Sequence, residues 1–90
     1  MTCKLQNHAS ASASVQICND GSVLLISYTT MVCKVDSNGW LHVYGLYSAT
    51  TRKHIGWFLR ERYQIDYSVA RDAYNGNYEV NVFNGAKNFI

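Results

Sequence analysis

The stretch from Val15 to Gly45, VQICNDGSVLLISYTTMVCKVDSNGWLHVYG, decides the fold class. Val15 and Ile17 alternate with Gln16 and Cys18, the period of a half-buried strand. Asp20-Gly21 predicts a two-residue hairpin turn, since glycine accepts the positive φ that such a turn demands. From Ser22 to Tyr28 both faces are apolar, with Val23 and Leu25 on one and Leu24 and Ile26 on the other. That pattern predicts a central strand covered on both sides, either by the last hairpin or by another chain. Met31, Cys33 and Val35 then share a face opposite Lys34, and Ser37-Asn38-Gly39 supplies the next turn. Trp40 to Gly45 places Leu41 and Val43 opposite Trp40, His42 and Tyr44. Four short strands joined by tight turns make an antiparallel meander.

The period changes beyond Tyr47. Ser48 or Thr50 is placed to cap a helix that runs without proline to about Tyr63. At 100° per residue, Thr51, Ile55, Phe58 and Leu59 form one stripe, which faces the sheet. Lys53, Trp57, Arg60 and Glu61 lie on the opposite side. The segment from Ile65 to Tyr74 admits a short helix or a strand. Asn75-Gly76 followed by the alternation from Tyr78 to Phe83 favours a second hairpin, residues 69–74 pairing with 77–83. At the other end, Ala9-Ser10-Ala11-Ser12-Ala13-Ser14 offers little side chain to bury, which predicts a frayed terminus or a weak edge segment. The expected architecture is α+β. An antiparallel sheet of four to six strands (the meander plus the C-terminal hairpin) carries one principal helix at about 50–63. A flexible segment, 1–14, precedes a single domain, 15–90.

Composition removes several function classes. The 90 residues carry eight basic and six acidic side chains, a net charge of +2. That is too little for nucleic-acid binding by bulk electrostatics and the wrong sign for an acidic DNA mimic. No run approaches the roughly 18 apolar residues a spanning helix needs, so no membrane role is expected. Cys3, Cys18 and Cys33 are odd in number, without CxxC or zinc spacing, and read as reduced structural thiols. A Cys18–Cys33 disulfide would require their strands to be neighbours. The scattered carboxylates offer no acid–base or metal pair, and the glycines form no phosphate-cradling loop. We therefore expect no enzyme, no cofactor and no metal, although Cys33 and His42 fall on adjacent predicted strands.

Three constellations could carry binding. Ser48, Thr50, Thr51 and His54 gather hydroxyls and an imidazole at a helix start, where free amides and the dipole favour an anion. The alternative is a polar cap with His54 leaning over the sheet. Arg52, Lys53, Trp57 and Arg60 place an aromatic ring among cations on the polar helix face, as a protein interface or a base-stacking platform would. A C-terminal segment folded over Trp57 is the competing explanation. Trp40, His42 and Tyr44 form a second aromatic patch on the far face of a strand, a candidate surface for homodimerisation.

Two segments also carry a resemblance. Ser27-Tyr28-Thr29-Thr30-Met31-Val32, with Tyr47-Ser48-Ala49-Thr50-Thr51-Arg52-Lys53-His54-Ile55 and Phe58-Leu59, resembles small uncharacterised proteins of phages and prophages. It spans residues 24–60, and Gly56-Trp57 departs from the polar pair of that pattern. The resemblance implies a viral protein working in the host cytoplasm and brings no activity with it. The expected function is a non-enzymatic phage accessory protein that binds and inhibits a host macromolecule, a protein or ribonucleoprotein. Its most concrete version is an anti-defence inhibitor of anti-CRISPR type. The alternatives are a small nucleic-acid-binding module and a self-associating structural or virion protein.

Overall fold

Alternating apolar and polar side chains produce strands that pair with their neighbours in sequence, with one long excursion through two helices. The computed structural model describes residues 1–5, 8, 11–45 and 48–89. The strands are β1 (Thr2–Lys4), β2 (Ala13–Ile17), β3 (Val23–Ser27), β4 (Thr30–Val35), β5 (Trp40–Val43), β6 (Tyr78–Asn81) and β7 (Lys87–Phe89). They form one sheet in sequence order, antiparallel throughout. Helices α1 (Ala49–Tyr63) and α2 (Tyr67–Gly76) separate β5 from β6.

Register explains the core. Val15 pairs with Leu25, Leu25 with Cys33, Cys33 with Val43, and Leu41 with Val80, so one face is a continuous apolar row. The helices cover this face, α1 packing against β3 and α2 against β5 and β6. Ile55, Phe58 and Leu59 of α1 and Ala70 and Ala73 of α2 are buried there. The stripe expected for the first helix is thus the buried one, Thr51 included. A bulge between Leu25 and Ile26 leaves Val32 without a partner and buries both Val32 and Cys33.

The α+β class and the antiparallel meander match expectation, but the inventory is larger: seven strands and two helices among the described residues. The expected strand at 69–74 is the second helix. Asp66 caps it by accepting from the Ser68 amide at 3.0 Å, and Ala70 and Ala73 bury at helical spacing. Asn75-Gly76 is a helix end rather than a hairpin, because Asn77 takes the left-handed cap at φ 55°. The C-terminal hairpin is β6–β7, placed later in the chain, and it extends the sheet instead of covering its outer face. Leu24 and Ile26 are half-buried on that outer face and Met31 is exposed. Asp20-Gly21 lies in a longer loop than two residues: β2 ends at Ile17, and Ser22 donates to the Asp20 carboxylate from its amide at 2.9 Å.

Within the segment 1–14, part of the chain is paired into the sheet. Thr2–Lys4 is an edge strand, and Ala13 and Ser14 begin β2. Met1 exchanges hydrogen bonds with Ile17, and Leu5 is fully buried, so backbone pairing and one buried leucine anchor this segment. Gln6, Asn7, Ala9 and Ser10 lie outside the described residues.

All three cysteines are free, and β3 lies between the strands that lead to Cys18 and Cys33, which rules out their being neighbours. Cys33 is fully buried, and burial pushes its thiol up, away from thiolate chemistry at neutral pH. A thiol reagent should therefore label Cys3 and Cys18 in the native protein and reach Cys33 only on unfolding. Cys33→Ala should cost about 1–2 kcal/mol in denaturant melts.

Candidate functional site

Helix α1 has two faces of different chemistry. Ser48 starts it as N-cap, its hydroxyl accepting from the Thr51 amide at 3.4 Å. Gln64, left-handed at φ 55°, ends it, and the following Ile65 amide reaches back to the Leu59 carbonyl.

The inner face carries a buried polar network. Ser27, at the end of β3, lies with its Oγ 2.7 Å from His54 Nδ1 and 3.1 Å from Thr51 Oγ1. Thr51 Oγ1 in turn accepts from Ser48 at 3.5 Å. Burial holds the His54 pKa below its ordinary value, so the ring is neutral at neutral pH. The His54 tautomer sets the direction of the rest: with the proton on Nε2, Thr51 donates to Ser27 and Ser27 to Nδ1, and with it on Nδ1 the ring donates to Ser27. Both segments of the phage-like pattern meet here. A Ser–His pair at this distance is the starting geometry of nucleophilic catalysis. Ser27 and His54 are each about 2% exposed, however, so no substrate reaches the hydroxyl.

The outer face meets α2 in a groove. Ala49, Lys53, Gly56 and Arg60 recur at helical spacing along α1, and Asp66 and Tyr67 form the opposite wall. With Arg52 and Trp57 they line an open depression of about 410 Å³. A Cβ added at Gly56 would make ordinary contact with that of Tyr67, at 3.4 Å, so the groove is narrow at this point. Arg60 pairs with Asp66 at 2.6 Å. Arg52 and Lys53 are exposed and have no carboxylate partner among the described residues.

The four residues expected to bind a partner, Arg52, Lys53, Trp57 and Arg60, are thus brought to one concavity. The four expected to bind an anion are split: Ser48 and Thr50 are exposed, while Thr51 and His54 turn inward to Ser27. Trp57 is half-buried and packs on the core edge. Its cover comes from the N-terminal side, where His8 stacks on it at 3.7 Å and 9°. His54 lies 5.8 Å from Trp57, and Tyr28 lies 5.7 Å from His54. Tyr28 holds a left-handed backbone, φ 57°, pinned by its amide N–H donating to the Ser12 carbonyl at 2.7 Å.

The second patch is not a row of free rings. Trp40 is half-buried opposite Asn81. His42 is held between two carboxylates, Nε2 3.2 Å from Asp36 and Nδ1 2.9 Å from Glu79. Burial works against the Asp36 carboxylate, but hydrogen bonds from His42 and from the Trp40 and Asn38 amides outweigh it and lower its pKa. Tyr44 is exposed just beyond β5.

Sequence reasoning missed Asp66 and Tyr67 as groove walls, His8 as the cover of Trp57, and Glu79 as partner of His42. Asp66 was legible as a helix cap, with Ser68 and the buried alanines behind it. The other two pairings join distant segments and leave no local pattern.

Comparison with curated proteins and with solved structures finds no match. A family model does match over residues 3–76, from β1 through both motifs and both helices to the end of α2. The chain belongs to that family, DUF8033, a family of unknown function.

Proposed function

We propose that this protein is a non-enzymatic binding protein that docks an acidic segment of a host protein in the α1–α2 groove. The observation that carries the reading is a pair of exposed cations, Arg52 and Lys53, without a carboxylate partner among the described residues, on the rim of a concavity with an apolar floor. Gly56, Ala49 and the rings of Trp57 and Tyr67 accept an apolar side chain, and the cations favour carboxylates beside it. The resemblance to phage proteins supplies the setting: a phage accessory protein in the host cytoplasm, inhibiting the machinery that it occupies, with anti-defence inhibition as the concrete form. The buried Ser27–His54 pair supports a binding role over an enzymatic one, because its hydroxyl is inaccessible. Nucleic acid is the less favoured ligand, since His8 already occupies the stacking position on Trp57.

An unbiased peptide-display selection against the whole protein tests this. Enriched sequences should combine two or more Asp or Glu with an aromatic or aliphatic anchor, and their affinity should fall moderately as salt rises. Enrichment of neutral or basic peptides would overturn the reading. So would tighter binding of oligonucleotides, with affinity falling steeply between low and moderate salt.

A further inference from the structure

The sheet parts locally at the seam between β5 and β6. Their register runs through Trp40–Asn81 and Leu41–Val80 and then stops. Beyond it the strands diverge around a cavity of about 340 Å³, separate from the α1–α2 groove. Three tyrosines line it: Tyr44 from the end of β5, Tyr74 from α2, and Tyr78 from β6. Glu79 and His42 close one side, with the carboxylate 2.9 Å from the imidazole. No lysine or arginine is among the described lining residues. Two carboxylates, Asp36 and Glu79, flank one imidazole, so the polar edge is net negative whether or not His42 is protonated.

Aromatic walls beside negative charge are the chemistry that holds a weakly hydrated organic cation. The protein already contains one such contact, since the Lys87 ammonium lies 5.1 Å from the centre of the Tyr78 ring. We propose that the β5–β6 cavity is a binding site for an alkylated ammonium group, taken from a free quaternary amine or from a methylated lysine side chain. Tyr44 and Tyr74 supply the free ring faces, at 48% and 41% exposure, and Glu79 supplies the charge. The volume admits a trimethylammonium group, and the apolar floor of Leu41 and Val43 accepts its methyls.

The test uses choline as probe, its uncharged tert-butyl isostere as control, and a trimethyllysine peptide to separate the two sources, read by tyrosine-ring NMR shifts. Choline should shift the Tyr44 and Tyr74 resonances with a dissociation constant on the order of a millimolar, as a fragment of a few heavy atoms allows. The isostere should bind at least about fivefold more weakly. Tighter binding of the peptide than of choline assigns the source to a protein, and equal binding assigns it to a free amine. Tyr74→Ala and Glu79→Gln should each weaken choline by about fivefold, whereas Tyr74→Phe should retain it. Tyr74 projects from the exposed side of α2, and melting curves of the variants confirm the fold. Equal binding of choline and isostere, absence of shifts, or equal loss in Tyr74→Phe and Tyr74→Ala would overturn the assignment.

Discussion

Arg52→Glu combined with Lys53→Glu should abolish binding of the acidic partner, by at least about a hundredfold, while leaving the fold as stable or slightly more so. The two effects have separate physical causes. At the groove, reversal sets like charges against each other in a partly desolvated contact, which costs several kcal/mol. At about 1.4 kcal/mol per decade that exceeds two decades. Within the helix, these residues stand near the start of α1, whose first turn has no acidic residue. Glutamate there complements the dipole and favours the helix by several tenths of a kcal/mol. Arg60→Ala should act less, because Arg60 is engaged with Asp66 in an exposed pair worth little. Titration calorimetry with a selected acidic peptide, beside thermal melts by circular dichroism, measures both. Unchanged affinity in the doubly reversed variant, with the fold intact, would remove the groove as the docking site.

The second large effect is on stability. His54→Ala should cost about 2–4 kcal/mol, the sum of a cavity beneath α1 and a buried hydroxyl chain deprived of its terminal hydrogen-bond partner. His54→Asn, whose amide oxygen can replace Nδ1, should recover part of this. The sign with pH follows from the lowered pKa of His54 in the fold. Below the unfolded value of about 6.5 the unfolded chain takes up a proton that the folded chain refuses. The contribution is therefore complete above that pH, and it is lost as pH falls toward the folded pKa. The slope within that window is at most about 1.4 kcal/mol per pH unit. Denaturant melts of wild type and His54→Asn across pH 5 to 8 isolate it (an approximate window set by the usual histidine range), since His8 and His42 are common to both. Parallel curves would show that His54 is not the titrating group.

How far the site could be read in advance differs residue by residue. The wheel that put Thr51, Ile55, Phe58 and Leu59 on one side of α1 and Lys53, Trp57 and Arg60 on the other was sufficient. Burial of one stripe on an apolar sheet allows only that rotation. His54 was ambiguous between an outward anion ligand and an inward contact, because its angular position borders both faces. The Ser27 hydroxyl at 2.7 Å decided it. Helix α2 was ambiguous for a different reason. Asn-Gly satisfies both a hairpin turn and a helix C-cap, since each needs a left-handed residue, and only packing of Ala70 and Ala73 against β5 and β6 separates them.

By itself the sequence determined the antiparallel meander, the position and orientation of α1, and the absence of a long apolar spanning run. Each follows from a short-range period that any burial must respect. The tertiary structure alone decided that His8 covers Trp57, that Glu79 meets His42, and that α2 walls the groove beside Arg52 and Lys53. These contacts join residues far apart in the chain, and their partners are chosen by strand register and helix packing, which no local pattern encodes.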